Sequence, residues 1–394
     1  MAIVIGPQAA AIGASLGPHR QQPLPTRRMV SPPAPAVPVA TASAPLVSVI
    51  VPAMNAEPFV ARTLAAATAQ SWSKLEILVV DDGSTDRTPW LVEAAAEADP
   101  RIRLLRQPNR GVAEARNRAI AAARGSILAP LDADDLWHPD YLAHQVAALM
   151  AGGPGTALSY AWWFAIDTHD RVRSVAAPVW VREQRHALRR LVWQNFIGNG
   201  SSAVMWRAPV EAVGGYDPSL HARGAQGCED SALYTALAER WDFAVATKHL
   251  VGYRRHPGGM SEDQERMRRS EELVRDDLYA RRPDLPRYWR VVARARYPQR
   301  ALWRALRRGE PAVAARAVRE AVAGGPLCLA AALGYWGGQG VKEVVTAAFY
   351  HRAWLDCELT RLWAIGGAHP SDALRDRADD PGLARPCGEP AKAP

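Results

Sequence analysis

From residue 46 onward, short apolar runs alternate with longer stretches in which apolar residues recur every third or fourth position. LVSVIVP, LEILVVDD, IRLLRQ and SILAPLD are too short for helices and rich in β-branched residues, so each is expected to be a strand. FVARTLAAATAQSW, TDRTPWLVEAAAEA and GVAEARNRAIAAAR carry helical spacing between them. In the second, Thr85 is the expected N-cap and Pro89 falls inside the first turn. Strands that are hydrophobic throughout rather than alternating belong to a parallel sheet covered on both faces. The expected fold is therefore α/β, a mostly parallel sheet flanked by helices. Such sheets bind ligands beyond the carboxyl ends of their strands, where Asp81-Asp82 and Asp132-Ala133-Asp134-Asp135 stand.

The pattern then changes. Tyr141 to Ala151 is expected as a helix, and Ala157 to Trp180, with Trp162, Trp163 and Phe164, is more strand-like. GGYDPSL reads as a turn and EDSALYTALAER as an amphipathic helix opening on two acids. Beyond Glu262 the chain is dense in arginine and helical in pieces, and PAVAARAVREAVAGG and VKEVVTAAFYHRAWLDCELTRLWAIGG are expected as further helices. SPPAPAVPVATASAP buries little apolar surface, so residues 1–45 are expected to be a disordered lead-in. The expected organisation is that lead-in, an α/β domain over 46–265, an Arg-rich helical extension over 266–367 and a loose tail over 368–394.

A net charge of +8 and a pI near 9.6 point to an anionic partner: nucleic acid, a phosphorylated substrate or a membrane surface. The ordered core shows no nucleic-acid-binding module and no basic–aromatic interleaving, so nucleic acid is not expected. The cysteines at 228, 328, 357 and 387 form no CxxC pair, which argues against a zinc knuckle or a disulfide framework and fits a reducing compartment. There is no basic segment followed by a long apolar one at the start, and no run of roughly 18 apolar residues. A cytoplasmic protein is expected, with the Arg-dense stretch from Arg266 to Arg308 able to lie peripherally on an anionic membrane.

The sharpest chemical feature is LDADD, Leu131 to Asp135. Several carboxylates at one strand end repel each other unless a cation neutralises them, and such oxygen ligands suit Mg²⁺ or Mn²⁺ with substrate phosphate. The plainer reading is a solvated acidic turn capping the next helix. Asp81 and Asp82 close the second strand, where a carboxylate is placed to accept hydrogen bonds from a base or ribose, or to cap the helix that follows. Glu229 and Asp230 open a helix, where a carboxylate is held ionised; that is a capping arrangement, and also what a general base requires. Tyr253-Arg254-Arg255-His256 supplies an imidazole and cations in a glycine-rich loop.

In this order the pieces resemble the family 2 glycosyltransferases of the GT-A type, from Val47 to about Met260. VSVIVPAMNAE is similar to that family's first strand and nucleotide-binding loop, containing Pro52 and Asn55, and VVDDGSTDRT to its second, with Asp82 matching the base-contacting aspartate. GVAEARNRAIAAARGSILAPLDADD resembles the helix, strand and DxD metal site, with Arg116 assisting nucleotide binding. GGYDPSL and GCEDSALYTALAE resemble the acceptor-side turn and the ED motif, in which Asp230 matches the catalytic base and Glu229 its neighbour. His256 matches a metal or diphosphate ligand. The resemblance implies a GT-A (Rossmann-like) fold and a nucleoside diphosphate sugar donor, usually a UDP sugar. It implies Mg²⁺ or Mn²⁺ held by Asp132, Asp134, Asp135 and His256, with Asp132 also touching the nucleotide sugar. A glycan or lipid-linked acceptor would be deprotonated by Asp230, with inversion at the sugar.

Met54 stands where the family often has an aromatic residue, which leaves the base preference open. No QxxRW motif is present, which favours transfer of a single sugar. A nucleotidyltransferase would need a Gly-rich phosphate loop after the first strand, and PAMNAEPF has none. A degenerate module that only binds nucleotide sugar remains as the alternative. The whole reading requires Asp82, Asp134 and Asp230 to meet in one cleft.

Overall fold

The computed structural model describes residues 44–329 and 332, apart from 177, 178, 180 and 181. The first part alternates as the pattern predicts: β1 (Val47–Ala53), α1 (Val60–Thr68), β2 (Leu75–Asp82), α2 (Thr88–Ala98), β3 (Ile102–Gln107), α3 (Val112–Ala122) and β4 (Ile127–Pro130). β1 pairs in parallel with β2 and β4, and β2 with β3, so Val47 faces Leu75 on one side and Ile127 on the other. Every residue of β1 and β2 is buried, as a sheet covered on both faces demands. That includes Ser48 and Glu76, which satisfy each other. Ser48 Oγ donates to Glu76 Oε1 at 2.7 Å, and Arg124 donates its backbone N–H and its Nε to the same carboxylate at 2.6 and 2.9 Å. Burial pushes the Glu76 carboxyl upward, but the hydrogen bonds from Ser48 and Arg124 outweigh it and hold it below its ordinary range.

One expectation at α2 is corrected. Thr85 does not cap the helix, because its N–H and hydroxyl are both directed at Asn55 Oδ1. Asp86 instead accepts from the Thr88 N–H at 2.9 Å, and Pro89 stands in the first turn as expected.

The chain then adds β5 (Leu136–Trp137), α4 (Tyr141–Ala151), β6 (Thr156–Ile166), β7 (Val172–Val175), α5 (Gln184–Trp193), β8 (Ala203–Trp206), α6 (Arg207–Ala212), α7 (Ser219–Ala222), α8 (Glu229–Ala238) and β9 (Asp242–Arg254). The sheet order is β3-β2-β1-β4-β8-β6-β9-β5, with β7 paired to β6. β8 runs antiparallel to both β4 and β6, so the parallel half continues into a mixed half of the same sheet. The β6–β9 register shifts on both sides of Trp162, and such bulges re-aim side chains. Trp162 and Trp163 are accordingly only half-buried.

Past the sheet lie α9 (Gln264–Arg281), α10 (Arg287–Arg294), α11 (Arg296–Arg308) and α12 (Pro311–Ala323). α9 docks beside the start of α8 through Leu220, Cys228 and Val274. Glu271 of α9 ties α11 down, accepting from the Tyr297 hydroxyl at 2.5 Å and lying 3.6 Å from Arg296. Among the described residues no helix is long and apolar enough to cross a membrane. The expected helix from Val341 to Gly367, the tail after it, Cys357 and Cys387, and the lead-in up to residue 43 fall outside the described residues.

Candidate active site

The loops that follow β1, β3 and β4, with the last residue of β2, open on one cleft of about 1820 Å³. The loops after β1 and β2 are laced together. Asn55, at a left-handed φ of 49°, donates its N–H to Ser84 Oγ at 2.9 Å and accepts the Thr85 N–H at 2.8 Å. Glu57 N–H donates to Asp86, and Arg87 N–H returns a bond to Glu57 at 2.9 Å. The β1 loop, with Pro52 and Asn55 on the cleft wall and Met54 exposed at its lip, is thus fixed by its own neighbours. Asp82 fixes the next loop. Its carboxylate accepts the Gln107 side-chain amide and the backbone N–H groups of Arg110 and Gly111, all at 2.8 Å. Gly111 has a φ of 90°, and a Cβ there would stand 3.1 Å from the His221 ring, so glycine is needed for that N–H to reach Asp82.

The DADD turn distributes its acids in three directions. Asp132 accepts Arg116 Nη2 at 2.5 Å on Oδ1, and its N–H donates to Ser201 Oγ at 2.9 Å. Arg116 is buried, lies over the Tyr216 ring at 5.1 Å, and leaves its Nε without a partner. Burial works against its charge, but Asp132, Asp230 and Glu229 around it raise its pKa overall. Asp134 meets His256 across the cleft, Oδ2 to Nε2 at 3.0 Å. The other ring nitrogen of His256 lies 3.0 Å from the Pro257 carbonyl, which requires a proton on Nδ1 and aims Nε2 at Asp134. The hydrogen bond to Asp134 raises the imidazole pKa.

Asp135 departs from the expectation. It is fully buried and does not line the cleft; its oxygens accept the Ser201 hydroxyl at 2.6 Å and the Arg254 N–H at 2.8 Å. Burial, with Asp134 and Asp132 close by, pushes its carboxyl well up. Turned into the fold, it anchors the end of β9 and is not available to a ligand.

Glu229 and Asp230 occupy the first turn of α8, as expected. Glu229 accepts the Gly227 N–H at 2.9 Å. Asp230 Oδ2 accepts the Asn195 side-chain amide at 2.9 Å, and Oδ1 accepts the Ser231 N–H at 2.7 Å. Burial pushes the Asp230 carboxyl up to about 6, partly opposed by Arg116. Pro52, Asn55, Asp82, Arg116, Asp132, Asp134, Glu229, Asp230 and His256 all line this one cleft, so Asp82, Asp134 and Asp230 meet the convergence the sequence reading required.

Among the described residues no three His, Cys, Asp or Glu side chains gather as a metal cluster. The Asp134 carboxylate, with a neutral His256 beside it, is a group able to take a share of a Mg²⁺ or Mn²⁺ ion. Such ions keep water and take substrate phosphate, so few protein ligands are called for, and the far nitrogen of His256 is anchored on the Pro257 carbonyl.

Residues 194–202 were missed from the sequence. Asn195 orients Asp230, and Ser201 bridges Asp132 and Asp135. A Cβ at Gly200 would stand 2.8 Å from Arg116 Nη2 and 3.3 Å from Asp132 Oδ2, so a side chain there would have to push the ion pair aside. The available signal was the run QNFIGNGSS, small and amide-bearing residues between a helix and a strand.

Residues 48–214 match the family described as Glycosyl transferase family 2. EpsJ of Bacillus subtilis, described as an uncharacterized glycosyltransferase, is 44% identical over 91 residues, 23% of this chain and 26% of its own length. The succinoglycan biosynthesis protein ExoO of Rhizobium meliloti is 42% identical over 122 residues, 31% of this chain and 34% of its own. The chain thus spans about a quarter to a third of these relatives. Staphylococcus TarS, from S. aureus, overlays with a TM-score of 0.48 at 18% identity, covering 65% of this chain and 43% of that one.

Proposed function

Because the chain carries a family 2 glycosyl transferase domain over residues 48–214, we propose that it moves one sugar from a nucleoside diphosphate sugar to an acceptor hydroxyl. The donor is of the UDP class and the anomeric centre is inverted. What supports this most is the meeting, in a single cleft, of the Asp134–His256 pair and a buried carboxylate, Asp230, poised near 6.

Asp230 takes the acceptor proton while the acceptor oxygen bonds to the anomeric carbon. The bond from that carbon to the diphosphate breaks, and its electron pair leaves with the nucleoside diphosphate. A base with a pKa near 6 is largely ionised at neutral pH yet still accepts a proton readily. Asn195, donating to Oδ2, fixes the direction in which Asp230 faces. Pro52, Asn55 and Asp82 border the nucleoside; Arg116, Asp132 and Glu229 border the sugar diphosphate, and Arg116 offsets the carboxylates around it. Asp134 and His256 would hold Mg²⁺ or Mn²⁺, which supplies charge neutralisation to the departing diphosphate.

The absence of QxxRW favours a single transfer. ExoO is named for succinoglycan biosynthesis, which supports an envelope or exopolysaccharide acceptor, as a glycan or lipid-linked chain. Work at the inner face of a membrane, through peripheral contact of the Arg-dense helices with anionic lipid, belongs to the same reading and is tested by sedimentation with anionic vesicles. The test of the reaction is nucleotide-sugar turnover with Mn²⁺. Wild type releases nucleoside diphosphate; Asp230→Asn binds donor but does not turn it over, and equal turnover by both proteins would refute the assignment.

A further inference from the structure

We propose that the acceptor carries phosphate groups beside its reacting hydroxyl, and that Arg300, Arg304 and Arg308 of α11, with Arg190 of α5, form the subsite that receives them. This rests on the glycosyl-transfer reading and names the chemical class of its second substrate.

Arg296, Arg300, Arg304 and Arg308 recur at every fourth position of α11 and all line the same cleft as Asp230. At the helical rise their Cα atoms extend over about 18 Å, so the stripe is a wall and not a point. α11 contains no Asp or Glu. Arg296, the first of the row, is structural: it is buried, donates to the Trp193 carbonyl and lies 3.6 Å from Glu271. Glu271, the acid that faces Arg296, is already engaged by Arg275, Arg296 and Tyr297. Among the described residues, Arg300, Arg304 and Arg308 have no carboxylate partner and are exposed. Arg190 adds a buried Nε with no hydrogen-bond partner.

Like charges four apart on one helix face repel, so an anion lying along the stripe relieves a strain the protein alone leaves in place. Guanidinium groups bind phosphate through paired N–H donors, which matches a phosphate better than a neutral sugar. Position decides which substrate brings that phosphate. The row begins where Arg296 meets the Trp193 carbonyl, two residues before Asn195, the residue that donates to Asp230. The row therefore starts near the base and continues along the wall of the same cleft. The donor diphosphate is served instead by Asp134 and His256, which are carried by the β4 turn and the loop after β9.

The experiment is a calorimetric titration of the full chain with its donor end filled by UDP and Mn²⁺. The probe is fructose 1,6-bisphosphate, with fructose as the uncharged control. The bisphosphate should bind and fructose should not. Arg300→Gln with Arg304→Gln should weaken the bisphosphate by about tenfold or more, while the Lys pair at the same positions retains part of the affinity and UDP affinity stays unchanged in both. If the double Gln variant melts early, Arg304→Gln alone carries the test. Equal bisphosphate affinity in wild type and Gln variant overturns the proposal. So does binding to phosphatidylglycerol vesicles with none to the bisphosphate, which assigns the stripe to a lipid surface, or loss of UDP affinity in the variant, which assigns it to the donor. Failure of the glycosyl-transfer reading shows separately, as no UDP binding to wild type with Mn²⁺.

Discussion

At one end of the cleft each carboxylate is held by its own chain: Asp82 by Gln107, Arg110 and Gly111, Asp132 by Arg116, Asp134 by His256, Glu229 by Gly227, and Asp230 by Asn195 and Ser231. Along the α11 wall, which starts near the base, Arg300, Arg304 and Arg308 meet no acid among the described residues. The difference follows from distance to solvent. Crowded, buried or half-buried carboxylates would repel and protonate unless donors fix them before a ligand arrives. Long exposed guanidinium chains tolerate their own repulsion and adapt to a ligand on arrival. The acidic end is built for geometry and so for rate, the basic wall for affinity.

That contrast is breakable in order of size. Asp230→Asn should lower turnover by about 10²- to 10⁴-fold with donor affinity unchanged, because a general base is removed without a change of shape. Steady-state turnover beside a nucleotide titration reads both; a matching fall in affinity would make Asp230 a binding residue. Next, Asp134→Ala or His256→Ala should weaken Mn²⁺-dependent nucleotide binding by about 10- to 100-fold and leave metal-free binding alone, measured by titration with and without Mn²⁺.

The pH profile sharpens the comparison further. Asp230 must be ionised to act, and its carboxyl is raised to about 6, so kcat/KM should fall as pH drops through about 6, roughly tenfold per unit below it. Asn195 donates to the ionised form, so Asn195→Ala should move that limb upward. A limb that stays put would remove Asn195 from the account. The smallest effect is on stability. Ser201→Ala strips buried Asp135 of its hydroxyl donor and should cost about 1–3 kcal/mol, read as a lower Tm.

The parallel half of the fold was legible because both of its faces are covered, so Val49, Ile77 and Val79 appear in the sequence as unbroken apolar runs. β8 was not. It is four residues long, AVMW, and gains its meaning only by slotting antiparallel between β4 and β6, partners far away in sequence. The site shows the same divide. DADD announces clustered carboxylates, but its spelling does not tell Asp134, which faces His256, from Asp135, which faces inward; the turn and a serine 66 residues later decide that. Asn195 and Gly200 escaped because a hydrogen-bonding amide and a missing Cβ carry no periodic signal. The arginine stripe was visible as charge, while its place in the cleft depended on how α9 seats α11.

The central claim is that the acidic end is a donor site completed by a divalent ion. Titration of a panel of nucleotide sugars, with and without Mn²⁺, tests it most directly on wild type, Asp134→Ala and Asp230→Asn. One nucleotide sugar should bind wild type and Asp230→Asn tightly only when Mn²⁺ is present, and Asp134→Ala weakly in either condition. Binding that ignores both Mn²⁺ and Asp134 would contradict the account.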